Sequence, residues 1–357
     1  MSTPPLLPVF DGHNDVLLRL MRRGGANPER AFLDGENVGH LDWPRMRAGG
    51  FAGGFFAIFV PSEDERGLDV DALMARPRYD VPLPPELRLP EAQSVTVHMA
   101  SLLLRIQSAS RGGVEVCRNA AQIRRCIDRG ALATVMHIEG AEAIDPDLRM
   151  LDVLYEAGLR SLGPVWSRAN VFAHGVPFRY PSSPDTGPGL TDRGRELVRA
   201  CNHLGVMVDL SHLNEKGFWD VARLSTAPLV ATHSNAHAIC PHSRNLTDRQ
   251  LAAIRESGGM VGLNFATAFI RPDGRRDANT TLEDMIRHVD HMIEHAGEDH
   301  VGLGSDFDGA TIPAAIGDVR GLPRLIEAMR RHGYDEPLLR KIAYGNWVGV
   351  LERTWGA

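Results

Sequence analysis

The sequence predicts an α/β protein built as a (β/α)₈ TIM barrel, one domain over residues 1–357 with a segment inserted at about 61–131, after the second strand. Three observations predict it. Eight short apolar segments recur along the chain, most of them ending in polar or charged residues. Near-continuous apolar runs of this length suit strands buried on both faces, and so a parallel sheet. Amphipathic stretches at helical period lie between them, which argues for repeated βαβ units. A doubly wound open sheet is the competing architecture, but no glycine-rich phosphate turn follows the first segment.

In chain order the strand segments are 8–13, 51–60, 132–139, 159–166, 205–212, 228–234, 259–265 and 300–307. Helical period appears over Arg193–Leu204, Glu215–Leu224, Asp248–Ser257, Leu282–Ala296 and Pro323–His332. Pro164 falls inside the fourth segment, where it removes a ladder hydrogen bond unless a bulge accommodates it. The span 61–131 is too long for one connection: a proline-rich loop, Pro61–Pro90, precedes two helical segments, Ala92–Ser108 and Asn119–Arg129. A second loop rich in Pro and Gly, Arg168–Gly189, follows the fourth segment and is expected to overhang the mouth as a lid. Glu336–Trp355 reads as a last amphipathic helix packed on the outside.

Composition narrows the function classes. Apolar residues make up 43% and charged residues 24% of the chain, as in soluble globular enzymes. A net charge of −6 gives no reason to expect nucleic acid or an anionic membrane as partner. No apolar run is long enough to span a bilayer. Met1–Pro5 lacks a basic n-region and an apolar h-region, so a cytoplasmic protein is expected. Cys117, Cys126, Cys201 and Cys240 contain no CxxC pair and suit reduced, buried thiols.

In a barrel the C-terminal strand ends meet at one face, where active sites lie. Those ends supply His13 and Asp15 from the first segment, Glu139 from the third, His212 from the fifth, His233 from the sixth and Asp306 from the eighth. A single histidine at a strand end usually reads as a satisfied structural residue, and His13 with Asp15 reads equally as a hydrogen-bonded pair. So many on one face read together as a metal centre. Three histidines and two carboxylates suit one or two Zn²⁺-like ions with positions left for water. Two ions about 3.5–4 Å apart need a bridging carboxylate, for which Glu139 is the natural choice. Lys216 and Lys341 are the only lysines and neither ends a strand, so a carboxylated lysine is not the bridge.

The segments Asp11-Gly12-His13-Asn14-Asp15, His137-Ile138-Glu139-Gly140, Asp209-Leu210-Ser211-His212, Thr232-His233-Ser234, His242–Asp248 and Gly304–Gly309 together resemble the membrane (renal) dipeptidase family, peptidase family M19, a branch of the amidohydrolase superfamily. The resemblance runs from residue 8 to about 350. It implies a (β/α)₈ barrel, two Zn²⁺ ions and hydrolysis of dipeptides with a free C-terminus, L-Xaa-D-Xaa included. His13, Asp15 and Glu139 would bind the first ion and Glu139, His212 and His233 the second, with Glu139 bridging.

The mechanism expected is attack by a metal-bridged hydroxide on the scissile carbonyl. Asp306 would take the water's proton and return it to the departing amine; its alternative is to orient a ligating histidine. Arg244 would grip the substrate carboxylate bidentately, the alternative being a surface salt bridge. Asp248, soon after it, is expected to be an N-cap. One position departs from the family. Its fourth strand commonly ends in a histidine thought to bind the substrate carbonyl, and Trp166 stands there instead. Trp166 is expected to shape an apolar subsite, with Arg168, Asn170 or His174 available to contact substrate, Asn170 foremost. The other readings are an amidohydrolase of N-acyl amino acids or lactams, and a barrel kept as a non-catalytic scaffold. A small dipeptide is the expected partner, with no nucleic acid and no membrane, and the insertion is expected to offer a homodimer surface.

Overall fold

The computed structural model describes residues 6–62 and 69–356. The strands in chain order are β1 Val9–Asn14, β2 Phe51–Phe59, β3 Tyr79–Asp80, β4 Val114–Val116, β5 Leu132–Glu139, β6 Leu159–Gly163, β7 Arg179–Tyr180, β8 Met207–Val208, β9 Val230–Ala231, β10 Met260–Asn264 and β11 Val301–Gly304. Eight of them form a parallel sheet in the order β8-β6-β5-β2-β1-β11-β10-β9. An isolated parallel bridge between Asp209 and Val230, with the Leu210 N–H donating to Val230 O at 2.8 Å, closes the ends into a barrel. Each of the eight apolar segments contributes one barrel strand.

Alternation along the strands separates core from site. On β5, Ala133 and Val135 join Phe10, Phe55, Met207, Val230 and Met260 in an apolar cluster that also holds Trp347. His137 and Glu139 continue the same face of β5, because successive side chains alternate. The opposite face packs against the surrounding helices in a larger cluster.

The ends of the helices are set locally. Asn119, Thr191, Asn214, Thr247 and Thr281 each cap a helix by accepting a backbone N–H from its first turn. Thr247, not Asp248, caps the helix Asp248–Glu256, through a reciprocal box with Gln250.

Two further expectations are corrected. The fourth strand ends at Gly163, so Pro164 lies beyond the ladder and removes no hydrogen bond from it. The C-terminal segment does not pack on the outside. Its helix Asn346–Trp355 turns Trp347 into the barrel, where the indole is fully buried beside Phe55 and its N–H donates to Leu303 O at 3.0 Å. A Cβ on Gly12 would lie 2.6 Å from this ring and 2.2 Å from Thr232 O, so the glycine at β1 is what lets the plug seat.

The insertion does more than decorate the barrel. Its helices Leu89–Ala109 and Ala120–Arg129 match the two expected, and β4 extends the sheet beside β5. β3 pairs antiparallel with β7 from the second long loop, joining the two loops into a strap over the mouth. Val81 N–H donates to Phe178 O at 2.9 Å, and Tyr79 Oη to Gly274 O at 2.6 Å, anchoring that strap to a third loop.

Trp347→Ala is expected to destabilise the protein by about 3–5 kcal/mol, as for large aromatic deletions in cores. Chemical denaturation checks this, and a cost below about 1 kcal/mol would contradict the plug.

Candidate active site

Glu139 stands at the centre of the mouth. His212 Nε2 lies 2.9 Å and His233 Nε2 3.5 Å from its Oε1, while His13 Nε2 lies 3.7 Å from its Oε2 and 3.3 Å from Asp15 Oδ2. The two nitrogens of His212 and His233 are 3.1 Å apart. Ligand atoms of His13, Glu139 and His233, and those of His13, Asp15 and Asp306, lie within 4.8 Å of one another. All five expected metal ligands and Asp306 are therefore brought together, from β1, β5 and the loops that follow β8, β9 and β11.

The loops after the strands hold these groups by backbone bonds and by strain. Asp306 N–H donates to His13 O at 3.0 Å and Asp15 N–H to Phe307 O at 2.8 Å, lacing the ends of β1 and β11 together. His212 and Asp306 have φ of 67° and 59°, a left-handed conformation that costs non-glycine residues about 1–3 kcal/mol. A Cβ on Gly309 would meet Asp15 Oδ2 at 2.1 Å and Asp306 Oδ1 at 2.6 Å, so its lack of a side chain lets the two carboxylates approach.

A relay fixes the tautomer of His233. The Thr232 hydroxyl gives its one proton to Asp209 Oδ2 at 2.6 Å, so at 2.9 Å it accepts from His233 Nδ1. Nε2 of His233 is then unprotonated and faces Glu139. His212 Nδ1 is held at 3.0 Å by Ser167 Oγ. Burial, then the charges of Arg244 and His13, push both imidazoles well below their usual range, so they stay neutral.

The carboxylates show the opposite pressure. Burial pushes Glu139 up to about 8, and raises Asp306. Burial pulls His13 down, but the charges of Glu139 and Asp15 outweigh it and lift the imidazole to about 10. Two like charges about 4 Å apart repel by about 4 kcal/mol at an effective dielectric of about 20. Asp15, Glu139 and Asp306 converge with His13 and Arg244 as the positive groups acting on them, a concentration of negative charge that a divalent cation would balance. Neutral imidazoles with Nε2 turned inward, together with carboxylate oxygens, are the donor set that Zn²⁺-like ions take. The residues fit such ions.

Asp306 Oδ2 accepts from Asn264 Nδ2 at 3.0 Å. Arg244 is buried, stacks on Phe269 at 5.5 Å, and donates to His233 O at 3.1 Å and Ser234 Oγ at 3.4 Å. Its Nε has no partner among the described residues. Burial lowers its guanidinium to about 10, so it keeps its charge at neutral pH. Asp15, Glu139, His212 and Asp306 line a cavity of about 570 Å³ whose walls include Phe59, Trp166, Phe178 and Phe269.

The residue model of the membrane dipeptidase family, peptidase family M19, matches residues 6–355. The chain belongs to this family. Among solved structures it is similar to a metallo peptidase from Rhodobacter sphaeroides liganded with a phosphinate mimic of the dipeptide L-Ala-D-Ala. The two are 62% identical, with a TM-score of 0.96, over 98% of this chain and 100% of the other. An uncharacterized protein in the pqqA 5′ region of Klebsiella pneumoniae is 53% identical over 71% of this chain and 94% of its own. One in the PQQ-III 3′ region of Acinetobacter calcoaceticus is 41% identical over 82% of this chain and 90% of its own. As a member of the dipeptidase family, the chain is a metallopeptidase, a hydrolase of peptide bonds, on a TIM-barrel fold.

Of the substrate contacts expected, Trp166 lines the cavity, while neither Arg244 nor Asn170 does. Asn170 does not line the cavity: its amide donates to Pro164 O at 2.9 Å and accepts from Phe172 N–H and Ala173 N–H, holding the loop in shape. Arg168 is wholly buried, paired with Glu142 at 3.0 Å. His174 lies in a separate outer cavity. His137, Asp209 and Thr232 stand within the motifs quoted above without a role assigned there, and Asn264 is a polar residue near the end of the seventh segment.

Thr232→Val removes the acceptor for His233 Nδ1 and is expected to weaken metal affinity about 10–100-fold. Competition with a chelator measures it, and wild-type affinity would contradict the relay.

Proposed function

We propose that this family member is a two-zinc dipeptidase of small dipeptides with a free C-terminus, L-Xaa-D-Xaa included. The observation that carries the reading is the convergence of His13, His212 and His233 on the two oxygens of Glu139, with Asp15 against the same His13 nitrogen. His13, Asp15 and Glu139 would hold one ion, and Glu139, His212 and His233 the other. When bound, such ions supply Lewis acidity that lowers the pKa of water and polarises a carbonyl. The L-Ala-D-Ala mimic carried by the Rhodobacter sphaeroides relative supports a dipeptide of mixed chirality as the substrate class.

The chain's own residues supply the rest. Arg244, charged and with Nε unpartnered, binds the substrate's terminal carboxylate. Asp306 is aimed by Asn264 and opens onto the cavity. It takes a proton from the attacking water as the C–O bond forms and delivers it to the amide nitrogen as the C–N bond breaks. The buried free thiols of Cys117, Cys126, Cys201 and Cys240 support a reducing, cytoplasmic setting. No helix among the described residues is long and apolar enough to cross a membrane.

Three outcomes test the reading. Purified protein with zinc is expected to hydrolyse L-Ala-D-Ala and to spare N-acetyl-D-Ala; full dipeptide turnover after metal stripping would contradict the metal requirement. Asp306→Asn is expected to lower kcat by about 10²–10⁴ with metal content unchanged. A carboxylate base is lost as pH falls, so the acid limb of the wild-type kcat profile should vanish in the variant. Arg244→Lys should raise KM about 10–100-fold, the loss expected for a charged hydrogen bond, and an unchanged KM would remove Arg244 from the carboxylate site.

A further inference from the structure

We infer that Phe59 and Trp166 form the pocket for the side chain of the substrate's N-terminal residue, roofed by Leu83 of the insertion, and that this pocket selects bulky apolar side chains. The inference rests on the dipeptidase reading, because it takes the orientation of the substrate from Arg244.

The sheet order fixes that orientation. Arg244 is bonded to His233 and Ser234, just past β9, and packs on Phe269 in the loop after β10. In the ring β1-β2-β5-β6-β8-β9-β10-β11, the strands diametrically opposite β9 and β10 are β2 and β5. A dipeptide with its carboxylate at Arg244 and its amide at Glu139 must send its N-terminal residue toward β2 and β5. Phe59 is the last residue of β2, and its ring lies 5.0 Å from that of Trp166, which follows β6. Both line the cavity that contains Asp15 and Glu139, as do Leu18 and Leu83.

The aromatic pair is held rigid from behind. Arg168 lies 5.4 Å from the Phe59 ring and 5.3 Å from the Trp166 ring, donates to Val60 O at 2.5 Å, and pairs with buried Glu142 at 3.0 Å. A buried ion pair is weak evidence for stability but can hold a geometry. No step at the metal centre uses Arg168 or Glu142, and positioning these two rings gives them a role.

Leu83 is 40% exposed although it faces a cavity, and it sits just past the strap that ties β3 to β7. An exposed leucine over a fixed aromatic face is an apolar surface awaiting an apolar partner. At about 570 Å³ the cavity falls within the range of about 300–1,000 Å³ typical of pockets for larger ligands, roomier than two alanines require. Arg22 also reaches this cavity, so an acidic N-terminal side chain is the competing occupant.

The test is kcat/KM for L-Xaa-D-Ala with Xaa as Ala, Leu, Phe or Glu, beside L-Ala-D-Ala and L-Ala-D-Phe, all on the zinc-loaded enzyme. Leu and Phe are expected to exceed Ala by about tenfold or more, the discrimination that a well-packed hydrophobic pocket provides, with Glu below Ala. In Trp166→Ala the Phe-to-Ala ratio at the N-terminal position should fall about tenfold, while the D-Phe-to-D-Ala ratio at the C-terminal position holds within about twofold. Leu83→Asp, on an exposed position, should lower the same N-terminal ratio if Trp166→Ala fails to fold. A flat N-terminal series, a preference for Glu, or a change confined to the C-terminal ratio would overturn the pocket assignment while leaving the dipeptidase reading intact. Absence of any dipeptide hydrolysis by the wild type would overturn both.

Discussion

Negative charge buried at one end of a parallel barrel is the constraint on which the site depends. Ligand atoms of Asp15 and Asp306 lie within 4.8 Å of one another beside His13, and Glu139 stands 3.7 Å from the same imidazole, with Arg244 as a second positive group nearby. Burial, with the charges of Asp15 and Asp306 opposing those of His13 and Arg244, pushes Glu139 up to about 8, which would leave it largely protonated near neutral pH. A cation between the carboxylates and the inward-facing imidazoles reverses that pressure, and the proposed metal centre is the arrangement that lets all of them stay ionised.

Holding such a set apart from its preferred protonation takes a stiff frame. Backbone bonds between the ends of β1 and β11 fix Asp15 against Asp306, and the Asp209–Thr232 relay fixes the imidazole of His233. The left-handed conformations of His212 and Asp306 are held by backbone bonds, from Val176 N–H to His212 O and from Asp306 N–H to His13 O. Above it, the strap of β3 and β7 joins loops from three sides of the mouth. On the proposed reading, chemistry and selectivity are divided between layers: the strand ends and the turns just after them would carry the metal ligands and Asp306, while the longer loops supply most of the walls.

The division explains what the sequence made legible. The eight strands follow from apolar runs with polar ends, a pattern local in sequence, and the candidate ligand positions follow from the rule that a parallel barrel brings those ends to one face. His13, Glu139 and His233 could be read for that reason. Asn170 could not be read correctly, because its amide is taken up by the turn at Pro164 through Ala173, a loop conformation with no periodic signature. Trp347 looked like one apolar position of an outer helix; only the cluster of glycines and small residues across several strands makes room for it inside. The pairing of β3 with β7 brings together residues about a hundred positions apart, and short two-residue strands leave no alternation to detect.

The most direct measurement of the central claim is anomalous X-ray diffraction at the zinc edge on crystals of the zinc-loaded protein. The account predicts two peaks about 3.5–4 Å apart, one beside His13 and Asp15 and one beside His212 and His233, with Glu139 between them. A single peak, or peaks that leave Glu139 unligated, would contradict it.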